Sequence, residues 1–447
     1  MPVTLLRSLT RKGSFLGASA LGLGSAVVGR GTVFGINIAL AHMLTIHDYG
    51  IFSYAYGTAL NLGMFLAAGA SQAAGHVLPG IPAGPARSRQ LLAFLLVIVL
   101  LAAIAAVLLL GVSESVSQAT FGSSDGTRAL QVASALLFFS VVVQGGQGLL
   151  YAVHEHRPAA VVAIGVAILT LGLMWLLPPV SNPVAAMMMF AGASVAGSAC
   201  QIAVVLRRCL IGVQVSALRF VEFRRTVSTM VPATLTTLLG APVHWLCLST
   251  LAGATNGVQE LALFSVAFQW YVVITFIPAA VGSLALPFLS KRHDTDHRQG
   301  GLRYLRWTFA LAGGTALFLG AATFLFADEL IRMFYPGTYD QAAASVRALA
   351  CAATLCGISV VLQQQIASRG RFWLNVWLTL AYSAIYFGGT ALLVRLGYGA
   401  RSLGLSMTTA YIALLVLQTI TVYRDMRVKR SACAYASGAQ NTGVHAP

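Results

Sequence analysis

Charge is what this chain has least of. Only 12 Asp and Glu stand among 447 residues, and charged residues of both signs make up 9%. Soluble domains run near a quarter charged, so a chain this poor in charge and 57% hydrophobic is a membrane protein. Its acids fall near the expected helix ends and in loops, which leaves no carboxylate to neutralise a cation or carry a proton in mid-membrane. The six cysteines show no metal-ligand or redox spacing, and Cys351 and Cys356 point to different sides of one helix. No metal or cofactor is therefore expected. A glycine-rich nucleotide motif and a nucleophile–base pair are also absent, which argues against an enzyme.

What is abundant is apolar sequence in long runs. Stretches long enough to cross a bilayer, roughly 20 residues each, fall near 14–41, 51–76, 90–112, 129–153, 158–178, 184–206, 229–251, 261–289, 304–326, 342–366, 372–394 and 402–423. The expected fold is therefore an all-α integral membrane protein of 12 transmembrane helices. A basic N-terminus followed by Ala18-Ser19-Ala20 has the look of a signal peptide, but the apolar run continues far past it. A retained first helix is expected instead.

On alternate sides of these spans, 22 of the 28 Lys and Arg fall on one side and five on the other. By the positive-inside rule both termini of this multi-pass chain are expected in the cytoplasm. The net charge of +16 thus marks topology and calls for no nucleic acid. The longest basic stretch between spans separates two sets of six. The expected organisation is a cytoplasmic tail 1–13, an N-terminal lobe 14–206, a basic interfacial linker 207–228, a C-terminal lobe 229–425 and a disordered cytoplasmic tail 426–447.

The two lobes carry a faint repeat. Asp48-Tyr-Gly-Ile-Phe-Ser-Tyr-Ala-Tyr56 aligns without gaps on Glu260-Leu-Ala-Leu-Phe-Ser-Val-Ala-Phe268, at the outer start of the second helix of each half. Ser140-Val-Val-Val-Gln144 aligns on Ser359-Val-Val-Leu-Gln363, in the fourth helix of each. Six spans is an even number, so both halves share one orientation. They form a parallel repeat whose lobes can rock around a central site.

Helical spacing gathers polar residues onto single faces. Arg30, the one charge inside a span, shares a face with Asn37. Asn61, Gln72 and His76 form a stripe on the second span. The fourth span carries Ser140, Gln144, Gln147, Tyr151 and His154 at spacings of three and four. His244, Gln269 and Gln363 extend the set into the second half. Two readings compete. Neutral amides, hydroxyls and aromatics suit a sugar, and they also hydrogen-bond helices together in lipid. Arg30 likewise is either a ligand for phosphate or pyrophosphate, which a planar guanidinium suits, or an arginine bonded to carbonyls at a kink between Gly29 and Gly31.

Three stretches resemble a known family: 39–53 (Ala-Leu-Ala-His-Met-Leu-Thr-Ile-His-Asp-Tyr-Gly-Ile-Phe-Ser), 259–269 (Gln-Glu-Leu-Ala-Leu-Phe-Ser-Val-Ala-Phe-Gln) and 334–339 (Phe-Tyr-Pro-Gly-Thr-Tyr). With the span count, they resemble the polysaccharide or oligosaccharide flippase branch of the multidrug/oligosaccharidyl-lipid/polysaccharide exporter superfamily. The resemblance implies two six-helix lobes that move a polyprenyl-(pyro)phosphate-linked oligosaccharide to the outer leaflet, for capsule, exopolysaccharide or O-antigen assembly. It implies membrane lipids and a polysaccharide polymerase or export machinery as partners. Such relatives often line the cavity with several cations, of which Arg30 alone is matched here, and His42 stands where they often carry Arg.

Two alternatives remain at this stage. A drug/cation antiporter of the same superfamily needs an intramembrane acid. A membrane glycosyltransferase or polymerase needs larger outer loops, and the paired helix-start acids Asp48 and Glu260 suit the helix dipole better than catalysis.

Overall fold

The computed structural model describes residues 15–82, 84–176, 180–209, 220–237, 241–291, 298–367 and 372–441. The expected tail 1–13 and the middle of the expected linker, 210–219, lie outside them. The described chain is helical and contains no strand. Its first half holds α1 (Phe15–Met43), α2 (Ile46–Val77), α3 (Pro85–Phe121), α4 (Thr127–Ala152), α5 (His156–Leu176) and α6 (Pro183–Cys209). Then come α7 (Phe220–Thr237), α8 (Ala241–Ala252), α9 (Gly257–Lys291), α10 (Arg298–Leu325) and α11 (Ala327–Phe334). Three more close the chain: α12 (Ala342–Ala367), α13 (Phe372–Arg395) and α14 (Arg401–Asn441).

Among the described residues ten helices are long and apolar enough to cross a bilayer, or eleven if α10 and α11, bent by 73° at their break, count as one span. The expected span 229–251 corresponds to α7 and α8 on either side of 238–240, which lie outside the described residues. Two boundaries differ from the sequence expectation. The end of the expected linker is already helix, since α7 begins at Phe220. α14 runs on to Asn441 through the expected disordered tail; neither Pro nor closely spaced Gly interrupts it there, so the helix has no reason to stop.

Local chemistry sets the helix ends. Thr45 caps α2: its Oγ1 accepts from the Asp48 N–H at 3.1 Å and donates to the Asp48 carboxylate at 2.7 Å. Asn182 caps α6 by accepting from the Ala185 N–H at 2.8 Å. α3 begins at Pro85 and ends at Gly122, whose φ of 66° is the left-handed cap that glycine takes without strain.

The contacts divide the chain into two compact units. One comprises Met1–Val266, Asp328–Ala343 and Ala391–Ala400; the other comprises Ala267–Ala327, Ala344–Thr390 and Arg401–Pro447. In the first, α2 packs chiefly on α4, α4 on α3 and α6, and α1 on α5. α7 packs on α2 and α3, where Arg89 pairs with Glu222 at 3.2 Å and the Gln90 amide donates to Thr226 at 2.7 Å. Leu100, Ile104, Val107 and Leu108 stand exposed along the outside of α3. An apolar face of that size suits lipid.

The second unit is held by hydrogen bonds between helices. Ser359 on α12 donates to Gln418 on α14 at 3.0 Å, and Thr408 on α14 donates to the Ala348 carbonyl at 3.1 Å. The Tyr271 and Tyr411 hydroxyls meet at 3.0 Å.

Candidate functional site

α4 is the helix around which the first unit is built, and its sequence explains why. Gly145, Gly146 and Gly148 let three neighbours approach in three directions. A Cβ at Gly145 would meet Ile98 of α3 at 2.9 Å, and one at Gly146 would meet the Gln201 side chain of α6 at 2.5 Å. A Cβ at Gly148 would collide with Ser71 of α2. About two turns before Gly148, Ser140 lies against Gly63 of α2.

These contacts decide what the polar stripe on α4 can do. At 3.6 residues per turn, Ser140, Gln144, Gln147, Tyr151 and His154 fall within an arc of about 80°. The glycines that face α2, α3 and α6 all lie outside that arc. Gln144, Gln147 and Tyr151 are half-buried. Ser140 lies against α2, so the part of the stripe turned away from the contacts with α2, α3 and α6 is Gln144, Gln147 and Tyr151.

The other expected residues sort by what their side chains touch. Arg30 is exposed on α1, where Cβ atoms at Gly29 and Gly31 would meet nothing within 4 Å. Asn37 is buried and its amide donates to the Val33 carbonyl one turn back, at 2.8 Å. Asn61 does the same to Gly57, at 2.8 Å. Gln72 and His76 are exposed on α2, beyond the α2–α4 seam. His244 is half-buried with its ring 6.1 Å from that of Phe264. Gln269 and Gln363 belong to the second unit, the first half-buried and the second exposed.

Sequence reasoning missed a chain of hydroxyls beside this site. Trp245 donates to Thr58 at 3.0 Å, and Tyr54 reaches Ser249 at 2.8 Å and Thr120 at 3.3 Å. The spacing of Tyr54 and Thr58 was a usable signal; their partners on α8 and α3 were not. It also missed Gln201, which is fully buried and whose amide has no hydrogen-bond partner among the described residues.

Two of the three stretches behind the family resemblance, 39–53 and 334–339, meet in the first unit. The His42 ring donates to the Phe334 carbonyl at 3.0 Å, and the Tyr49 and Tyr339 rings meet edge-on at 5.8 Å. Gly50 lies against the Val258 backbone, so the two repeat-related helix starts touch where a larger residue would not fit. Glu260 accepts from the Ala400 N–H at 2.6 Å. Asp48 and Glu260 both stand in the first turn of their helices, where the helix dipole favours an acid.

No family model matches the chain. It is 48% identical over 425 residues to the EPS I polysaccharide export inner membrane protein EpsE of Ralstonia nicotianae, covering 95% of this chain and 97% of that one. The protein of the same name from Ralstonia solanacearum is 47% identical over the same lengths. Among solved structures, the lipid II flippase MurJ in an inward closed conformation superposes with a TM-score of 0.72 at 12% identity, covering 97% of this chain and 94% of that one. An inward-facing multidrug resistance MATE family transporter of the MOP superfamily gives 0.68 at 16%, covering 92% and 95%. The chain has the fold of these transporters.

Proposed function

The chain belongs to the family of EPS I polysaccharide export inner membrane proteins, and on that premise we propose that it flips a polyprenyl-(pyro)phosphate-linked oligosaccharide from the cytoplasmic to the outer leaflet by alternating access. Full-length identity to inner membrane proteins of polysaccharide export carries this reading. The fold alone does not choose, since the same architecture serves a lipid II flippase and multidrug transporters.

In this reading Arg30 takes the (pyro)phosphate, and Gln144, Gln147 and Tyr151 on the open face of α4 take sugar hydroxyls. Gln72, His76, His244, Gln269 and Gln363 are further candidates for the path. Asn37 and Asn61 each spend one amide N–H on their own helix and keep the other N–H and the carbonyl oxygen for the path. The lipid tail stays in the bilayer, so the protein need solvate only the head group. The halves 14–206 and 229–425 are the moving bodies, both termini face the cytoplasm, and the direction comes from differential binding in the two states. No bond is made or broken, which separates this protein from a polymerase that would act on the delivered glycan. An antiporter of cations is disfavoured because no Asp or Glu falls within any of the apolar spans.

The test is a deletion strain. Lipid-linked repeat units are expected to accumulate at the cytoplasmic leaflet while external polymer is lost, and the wild-type chain restores both. Undiminished export in the deletion strain overturns the reading.

A further inference from the structure

One cleft in the first unit lies away from the α4 stripe. It holds about 590 Å³, within the size range of small-molecule sites. Its polar wall is His47, Asp48, Asp125, Arg128 and Asn182. These residues come from the starts of α2, α4 and α6 and the turn before α4, all at one end of the bundle. That end carries few of the Lys and Arg, so the positive-inside rule assigns it to the outer face.

The bonding state of this wall is informative. Asp48 uses one carboxylate oxygen on Thr45, and Asp125 uses one on Ser123 at 2.9 Å. Asn182 spends its carbonyl oxygen on the α6 cap and keeps its two amide donors. Among the described residues, His47 and Arg128 have neither a hydrogen-bond nor an ion-pair partner. Arg128 thus lines the same cleft as two carboxylates without closing on either. The result is a set of spare acceptors and spare donors interleaved over one surface. A vicinal pair of hydroxyls, each both donor and acceptor, satisfies such a set. A phosphate does not, because two carboxylates outnumber one guanidinium. Ile51 and Met188 add an apolar patch to the lining, against which the C–H face of a sugar ring can lie.

We propose that this cleft is a carbohydrate-binding subsite at the outer end of the N-terminal half, which receives a neutral or amino-bearing sugar of the glycan once it has crossed. The inference rests on the polysaccharide-export reading and adds an exit station to it. Asp48 and Asp125 accept from the hydroxyls or an amino group, and Arg128 and Asn182 donate to them.

The experiment uses the full chain in lipid nanodiscs. The probe is the repeat-unit oligosaccharide released from the producing strain's exopolysaccharide, free of lipid, and binding is followed by saturation-transfer NMR and titration. Asp125→Asn and Arg128→Ala are each expected to weaken binding at least about tenfold, the loss of one charged hydrogen-bonding partner. Met188→Trp, at a residue 58% exposed and so harmless to the core, is expected to fill the cleft and abolish binding. Inorganic phosphate is expected not to compete. Unchanged glycan affinity in all three variants overturns the proposal, as does displacement of the glycan by phosphate. If those results come with normal accumulation of lipid-linked units in the deletion strain, the subsite falls and the export reading stands. If the deletion strain exports normally, both fall.

Discussion

The α2–α4 seam makes the sharpest stability prediction. A Cβ at position 148 would stand 2.6 Å from the Ser71 Cβ and 2.9 Å from its Cα. Rotating the Ser71 hydroxyl away relieves neither contact, and that hydroxyl is tied to the Ala67 carbonyl at 2.8 Å. Restoring ordinary carbon–carbon spacing in Gly148→Ala therefore requires the two helices to part by about 1 Å. Overpacking of this kind costs roughly 1–3 kcal/mol. Gly75→Ala is the matched control on α2, because nothing lies within 4 Å of its Cβ position. There alanine should gain about 0.5–1 kcal/mol from the helix preference alone. The helix preference is common to both single-methyl changes and cancels, so the two should differ by roughly 1–3 kcal/mol. Thermal melts in detergent, followed by tryptophan fluorescence, read the gap directly: Gly148→Ala melts below wild type and Gly75→Ala at or above it. If Gly148→Ala melts as high as Gly75→Ala, the seam is not the tight contact described, and the argument that leaves Gln144, Gln147 and Tyr151 on the open face of α4 fails with it.

Gly399 has a φ of +53° and its Cβ position lies 2.5 Å from the Glu260 carboxylate carbon. Gly399→Ala should therefore lower the melting temperature more than Gly397→Ala, which meets a φ of +82° but open space; equal losses would mean that the Glu260–Ala400 clamp contributes nothing. Gln201→Leu removes a buried amide without a partner, whose desolvation costs about 1–3 kcal/mol, and should raise the melting temperature. A fall would show that the amide has a partner in the membrane. Tyr54→Phe should cost about 1 kcal/mol in the same melts by cutting the links to Ser249 and Thr120; a wild-type melt would mark that hydroxyl chain as incidental.

Much of the fold was legible in the sequence because membrane insertion leaves a coarse physical record. Runs near 20 apolar residues and the asymmetry of Lys and Arg survive without any tertiary information. The bend after Leu325 was not legible, since α11 is too short for a span and its polar face looks like a loop. The motifs that carried the resemblance turned out to be packing motifs: His42, Tyr49 and Gly50 meet Phe334, Tyr339 and Val258. Their residue types gave no hint of these pairings, which join positions far apart in the chain. The candidate site was legible as a stripe on α4. What spacing could not tell is that Asn37 and Asn61 each bond one amide N–H back to their own helix, because i to i−4 bonding and cavity lining leave the same pattern. The outer cleft was hidden for a related reason. Its wall is made of helix-start residues that read, one at a time, as caps.

The central claim is that a lipid-linked glycan crosses the membrane through this protein with Arg30 holding its phosphate. Purified wild type, Arg30→Ala and Arg30→Lys in proteoliposomes, loaded with a fluorescent polyprenyl-pyrophosphate oligosaccharide, test it most directly. Wild type is expected to equilibrate the probe between leaflets, Arg30→Lys to retain part of the rate and Arg30→Ala to lose it, with all three melting alike. Wild-type rates in Arg30→Ala would contradict the role given to the arginine, and a wild type that moves no probe would contradict the account itself.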